Sequence, residues 1–485
     1  MIVKRFYDSK LAQASYLIGC GRTGAAIVID PNRDVEQYLQ MAETEGVQIT
    51  HVTETHIHAD FVSGARELAE RTSATLLLSD EGDANWKYAY AKDAGAVLVK
   101  HGDSFMVGNV KLEVVHTPGH TPEHVSFLVT DTAAANEPIA IVSGDFVFVG
   151  DVGRPDLLEK AANVAGSMED SAKTLFHSLE RFKQYPDWLQ IWAGHGAGSA
   201  CGKGLSAVPH STVGYERRFN WAFGDMEETS FVRAVLAGQP EPPKYFAEMK
   251  RINKEGPRVL NGFRRPDRLL VSLIESVLDS GSIVVDTRSA ADFQAGHLPG
   301  VLNIPLNNSF STWAGWLLPF DRDFYLIVDS QCTRCIDQAV RDLAMIGLDR
   351  VAGYFGSEVV DRWTKGGREL STVPQITSSE LAQRMAAGVV AVLDVRGQNE
   401  WETGHLPGVD NIPLGYLTDR LDELPRDRAL VVHCQSGARS AIAASLLRAK
   451  GLTNVVNLSG GFADWQRAGF AAERGVRAGD DPTAG

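Results

Sequence analysis

The stretch IVVDTRSAADFQAGHLPGVLNIPL, from Ile283, returns as AVLDVRGQNEWETGHLPGVDNIPL, from Ala391. Asp286 then matches Asp394 and His297 matches His405, an offset of 108 residues. Further on, YLIVDSQCTRC and ALVVHCQSGAR align without a gap at an offset of 104, and each runs into a helical pattern ending in Gly-Leu. A period of about a hundred residues is far longer than a solenoid unit, so it marks duplication of a whole domain. Each copy alternates apolar β-branched runs (IVVD and LIVD; AVLD and LVVH) with helical stretches such as SAIAASLLRAKG. That is the pattern of a compact α/β domain with a mainly parallel sheet.

A chain of 485 residues is too long for one core, and two to four domains are expected. From Met1 to about Ala237 the chain holds short strands punctuated by Gly and Pro (SYLIGCG, AAIVID, TLLLS, VKLEVVHTPGH, HVSFLVT, IAIVSGD) and few long helices. This implies two stacked sheets with helices outside, and a mixed α/β and α+β multidomain chain overall. Residues 1–237 form the expected first domain, and 238–265, Pro-rich and charged around a short helical pattern, the linker. The two copies then occupy 266–372 and 373–478, and 479–485 is expected to be a disordered tail.

Composition narrows the function classes. With 44% apolar and 22% charged residues, and no apolar run near the ~20 residues that a membrane span needs, a bilayer-crossing chain is not expected. The opening MIVKRFYDSKLAQASYLIGCG lacks the apolar block and cleavage site of a secretory signal, so a cytoplasmic location is expected. The net charge of -14 is spread along the chain, which argues against nucleic acid or an anionic membrane as partner. Five cysteines are too few, and odd in number, for a disulfide framework, so each is read on its own.

His56, His58 and Asp60 follow the apolar run VQITHVTET and so sit at the mouth of a strand. The remaining donors also follow strands: His120 in HTPGHTPEH, Asp145 in IAIVSGDF and His195 in IWAGHG. Loops at strand ends can aim several donors at one ion from different directions, which makes this order of clusters a metal site.

The constellation resembles the metallo-β-lactamase fold, an αββα sandwich, over the whole N-terminal half. In two-metal members an H-x-H-x-D-H motif, a later PGH histidine, a bridging aspartate and a final histidine hold both ions. Here Phe61 stands in the last seat of that motif, so Asp60 and His195 lack a partner and a one-metal site is expected. Among one-metal members the chain is most similar to the persulfide dioxygenases. That resemblance implies His56, His120 and Asp145 as ligands of one Fe(II) per chain. Two imidazoles and one carboxylate on one face leave positions open for oxygen and a substrate sulfur, although zinc would also accept this set.

His58, Asp60 and His195 would then stand behind the ligands and orient them by hydrogen bonds. The GRxD core of FVGDVGRPDL resembles the persulfide dioxygenase stretch beside the substrate pocket, where Arg154 could pair with a substrate carboxylate. An ordinary surface salt bridge is the alternative for Arg154. In GHGAGSACGKGLSAVPHSTVGYERRFN, which also carries Lys203, Tyr215, Arg217 and Arg218, two readings of Cys201 stay open. It is either a sulfur-handling thiol near the metal or a small buried residue. Cys20 is expected to be structural.

VVHCQSGARS places Cys434 after an apolar strand and before a helix expected to begin near Ser440. A curled loop of small residues can aim N–H groups at the sulfur, and a helix N-terminus adds positive charge, both favouring the nucleophilic thiolate. With the DVR, GHLPG and NIP elements at Asp394, Gly404 and Asn411, the region from about Gln375 to Gly475 resembles a rhodanese sulfurtransferase domain. The resemblance implies that Cys434 becomes a persulfide, cradled by Gln435, Ser436, Gly437, Ala438 and Arg439. In the preceding copy the ungapped offset puts Ser330 opposite Cys434 and Cys335 opposite Arg439. A hydroxyl is a poor sulfur acceptor, so this copy is expected to be a pseudo-rhodanese. Its Cys332 and Cys335 form a CxxC that could be a redox pair. No second pair completes a four-thiolate zinc site, and packing or an interface role is favoured for this domain.

Together these resemblances imply an iron persulfide dioxygenase that takes a low-molecular-weight persulfide, such as glutathione persulfide, and O2 to sulfite and free thiol. Cys434 would move sulfane sulfur, with thiosulfate or sulfite as further small partners, and a homo-oligomer is expected. The rival is a zinc-dependent thioester hydrolase of glyoxalase II type fused to a sulfurtransferase. Phe61 counts against it, and a hydrolase has no evident need of Cys434. A third option makes the C-terminal domains mere carriers or sensors of sulfur.

Overall fold

The structure is a computed structural model that describes residues 1–157 and 167–475; the expected tail at 479–485 lies outside them. The chain divides into two compact units, Met1–Arg264 with Leu343–Gly347, and Arg265–Asp342 with Leu348–Gly485. Among the described residues no helix is long and apolar enough to cross a membrane.

The first unit is built on two six-stranded sheets. Strand Gln13–Cys20 is buried along its whole length, and strand periodicity sends successive side chains to opposite faces. Ala14, Tyr16, Ile18 and Cys20 join Val107, Leu112, Val114, Phe127, Val142 and Trp192 in a core between the sheets. Leu17 points the other way, into a second core with Tyr38 and Ala42 of helix Glu36–Glu45 and Ala65 and Leu68 of helix Ala65–Thr72. The outer face of the second sheet is covered in turn by Leu175, Leu179 and Phe182 of helix Met168–Phe182. The result is the expected αββα sandwich.

Strand register sets up the site. Ile29 pairs with Thr53 in parallel, which brings Asp30 beside Thr55. Gly144 pairs with Ala193, which brings Asp145 beside His195. The segment 238–265, expected as a linker, carries helix Tyr245–Glu255. Tyr245, Phe246, Met249 and Asn253 of that helix are buried, and the chain stays within the first unit up to Arg264.

The second unit holds two parallel sheets, one of four strands and one of five, as expected of a duplicated α/β domain with mainly parallel sheets. In the first, Ile283–Asp286 pairs with Phe324–Val328, and Asp286 lies opposite Ile327. In the second, Val390–Asp394 pairs with Ala429–His433, and Asp394 lies opposite His433. Ile327 and His433 are 106 positions apart, so the strands do not share the ungapped offset of 104. The loop after the strand has six residues in the first copy, 329–334, and four in the second, 434–437. The sheet register thus sets Val328 against Cys434 and moves Ser330 into the longer loop. Neither alignment supplies a thiol there.

Candidate metal centre and thiol loop

His56, His120 and Asp145 converge, buried, with their ligand atoms all within 4.8 Å of one another. Nε2 of His120 lies 3.6 Å from Asp145 Oδ2 and Nε2 of His56 lies 4.0 Å from it. Hydrogen bonds on the far side of each ring fix this orientation. The Thr55 hydroxyl donates to Asp30 Oδ2 at 2.9 Å, which leaves its oxygen to accept from His56 Nδ1, also at 2.9 Å. His120 Nδ1 donates to the carbonyl of Arg154 at 3.0 Å. Both rings therefore turn a lone pair on Nε2 inward. Burial pushes both imidazoles below their ordinary range, as a ligand must stay neutral.

Asp145 is held as firmly. Its Oδ1 takes a 2.7 Å hydrogen bond from His195 Nδ1, and its backbone N–H donates to His124 Nε2 at 3.0 Å. Its Oδ2 is buried without a hydrogen-bond partner. An orphaned carboxylate oxygen facing two imidazole lone pairs is costly unless a cation binds there. The donor set therefore fits one divalent ion, and its oxygen and nitrogen chemistry suits iron or zinc alike.

His195 is engaged at both nitrogens, by Asp145 and by Asp60 Oδ2, each at 2.7 Å. Burial alone would depress this imidazole, but the Asp145 and Asp60 carboxylates hold it well above its usual range. It stands behind Asp145 and orients it, with Asp60 behind it in turn. His58 donates from Nε2 to Asp30 Oδ1 at 3.1 Å, and its ring lies 4.4 Å from that of Phe61. Phe61 is completely buried, so an apolar ring fills the place where a second ion's imidazole would stand. The loop bearing these residues is also gripped from helix Tyr245–Glu255: Asn253 Nδ2 donates to the carbonyls of His58 at 2.8 Å and Phe61 at 2.7 Å.

Arg154 departs from the substrate-binding expectation and takes the salt-bridge alternative, in the interior instead of at the surface, while Cys201 keeps both of its readings open. Arg154 is fully buried, paired through Nε and Nη2 with both oxygens of Asp156, while Nη1 donates to the carbonyl of Ala200. Its guanidinium is committed to the protein, and its carbonyl orients His120, so it braces the site instead of facing a substrate carboxylate. Cys201 lies with Asp60 and His195 in a second buried donor group whose ligand atoms are also within 4.8 Å of one another. Burial first, and then the Asp60 and Asp145 carboxylates, push its thiol well above the ordinary range. Sequence reasoning does not single out Asp30, Thr55 or His124. Their one signal is position, at the end of AAIVID, before the first histidine and within HTPGHTPEH.

In the second unit Cys434 is buried at the end of strand Ala429–His433. Gly437 N–H donates to its sulfur at 3.2 Å and the Ser440 hydroxyl at 3.6 Å. Gly437 has φ of 97°, a left-handed turn that glycine adopts without strain. That turn starts the helix at Ala438, two residues earlier than the sequence suggests. Arg439 therefore lies in its first turn and binds Glu400 through both terminal nitrogens. Arg396, which pairs with Asp394, reaches Gln435 Oε1 at 3.2 Å and ties the DVR element to the loop. In the first copy Ser330 is exposed and its hydroxyl donates to Glu358. Cys332 and Cys335 are joined as a disulfide.

The family described as Metallo-beta-lactamase superfamily matches residues 9–195, and the Rhodanese-like domain matches residues 271–357 and 377–468. A crystal structure of a metallo-β-lactamase from Staphylococcus aureus subsp. aureus COL is 43% identical, with a TM-score of 0.65. That alignment covers 73% of this chain and 98% of the other. The hydroxyacylglutathione hydrolase of Rhodospirillum rubrum is 29% identical over 37% of this chain and 60% of its own length. The persulfide dioxygenase ETHE1 of Bos taurus is 26% identical over 40% of this chain and 68% of its own. The alignments span about three-fifths of the length of the first curated relatives, 61% in one and 60% in another. With fold, donor set and domain duplication in agreement, the chain belongs to the metallo-β-lactamase superfamily and carries two rhodanese-like domains after that domain in sequence.

Proposed function

We propose that this chain is a non-haem iron persulfide dioxygenase that oxidises a low-molecular-weight persulfide to sulfite, joined to a rhodanese that transfers sulfane sulfur through Cys434. In the balanced reaction one persulfide RSSH, one O2 and one water give the thiol RSH and sulfurous acid, with both oxygen atoms of O2 reduced and the outer sulfur oxidised. The observation that carries the reading is the single face of two imidazoles and one carboxylate, with Phe61 closing the neighbouring seat. A bound ferrous ion would supply open coordination positions for oxygen and for the sulfane sulfur. His56, His120 and Asp145 would hold it, and the Asp30–Thr55 relay and the Arg154 carbonyl keep the imidazole lone pairs aimed inward. At Cys434, the Gly437 N–H and the Ser440 hydroxyl stabilise negative charge on the sulfur before it attacks a donor's sulfane sulfur and expels the rest of the donor, and again when an acceptor thiolate takes that outer sulfur and Cys434 leaves as thiolate.

A zinc thioester hydrolase remains the second reading because Asp60, His195 and Cys201 form a further donor group. The experiment is anaerobic purification with iron supplied, then oxygen uptake and sulfite release with glutathione persulfide. One O2 consumed per sulfite formed is expected. A zinc-loaded protein that cleaves glutathione thioesters and takes up no oxygen with persulfide would replace the proposal with the hydrolase.

A further inference from the structure

Neither the metal site nor Cys434 uses the Cys332–Cys335 pair. In the folded domain the two residues are bridged, with their Cα atoms 5.5 Å apart. The bridge joins the loop after strand Phe324–Val328 to the first residue of helix Cys335–Met345, at the strand-to-helix connection that holds Cys434 in the second copy. That loop is longer here by two residues, and the added length accommodates the pair.

A staple is the weaker explanation. A disulfide acts mainly by restricting the unfolded chain, least when the closed loop is short, and this one joins residues only three apart. The surroundings favour exchange. Cys335 is the first residue of an 11-residue helix, whose free N–H groups favour a thiolate there. Arg334 adds a positive charge between the two sulfurs in sequence. Of the nearby acids, Asp337 is paired with Arg265, and Asp329 accepts the N–H of Gln331. Both cysteines are partly exposed, and Gln331, Thr333 and Arg334 are exposed, so a small molecule can reach the bridge.

We infer that Cys332 and Cys335 form a dithiol–disulfide exchange site for low-molecular-weight sulfur–sulfur bonds, housed in the loop that lacks the rhodanese thiol. From the dithiol, one thiolate attacks the outer bond, which breaks and releases RSH after protonation. The other thiolate then attacks the bridged protein sulfur and expels the remaining group. With a disulfide the sum is RSSR plus dithiol giving two RSH plus the Cys332–Cys335 bond. With a persulfide it is RSSH plus dithiol giving RSH, hydrogen sulfide and the same bond. In each case the protein gives up two electrons to the sulfur–sulfur bond, and excess low-molecular-weight thiol runs the exchange backwards.

The test uses full-length protein carrying Cys434→Ser, handled anaerobically so that neither other centre consumes persulfide. It is poised in mixtures of reduced and oxidised glutathione, alkylated, and the Cys332–Cys335 peptide is weighed by mass spectrometry. The expected result is a single two-electron transition in the folded protein. The dithiol should then release two thiols per chain from glutathione disulfide, and one thiol with one sulfide from glutathione persulfide. Exchange with the disulfide alone sustains the site and narrows its substrates to disulfides. Cys335→Ser should trap a mixed disulfide on Cys332. A bridge that survives excess reduced glutathione until the protein unfolds, or thiols that stay reduced in excess glutathione disulfide, would overturn the inference.

Discussion

Substituting Phe61 with histidine would return an imidazole to a place where Asp60 and His195 already stand. Purified Phe61→His protein grown with zinc should carry close to two metal ions per chain instead of one, as counted by mass spectrometry of the metals. A second residue-level prediction concerns Thr55, whose hydroxyl links Asp30 to His56. Thr55→Ala leaves all three ligands in place but frees the His56 ring, and metal affinity in a chelator competition should fall about 10- to 100-fold. His56, His120 and Asp145 are legible in the sequence because each belongs to a short motif at a strand end. Asp30 is not, because its role exists only once parallel pairing of Ile29 with Thr53 sets it beside Thr55, 25 positions away in sequence. Arg154 misleads for a related reason: a motif shows that a guanidinium is present, and only packing shows that Asp156 already occupies it.

The strands and the duplication can be read directly, since alternating and β-branched runs such as IVVD and ALVVH signal buried parallel strands in any context. The loops that join them cannot. The two extra residues of the loop 329–334 hide inside an alignment without gaps, and the earlier helix start at Ala438 follows from the backbone turn at Gly437. The same loop yields a prediction. A Cβ on Gly461 would lie 2.3 Å from the Cys434 carbonyl oxygen, at a φ of 58°. Gly461→Ala should therefore push the Cys434 loop out of place and lower thiosulfate-to-thiol sulfur transfer at least about tenfold, the cost of some 1.4 kcal/mol in the barrier. Unchanged transfer would mean that the cradle is not what activates the thiol.

At the scale of the molecule, each unit has its own sheets and cores, so heating should melt them in separable steps. Removing the metal should lower only the transition of the first unit. At free metal a thousandfold above its Kd, binding contributes about 4 kcal/mol, and its loss should shift that transition by about 10 °C in calorimetry. Cys434→Ser, in turn, should abolish sulfur transfer and leave oxygen uptake with persulfide within about twofold. Helix Tyr245–Glu255 bears on how the metal unit can be excised. Because Asn253 clamps the carbonyls of His58 and Phe61, a fragment cut after Ala237 would keep every donor to the ion and still lose the brace that holds the histidine loop. The smallest autonomous metalloprotein within this chain therefore has to run past that helix, and truncation at the end of the sandwich would yield a fold without its cargo.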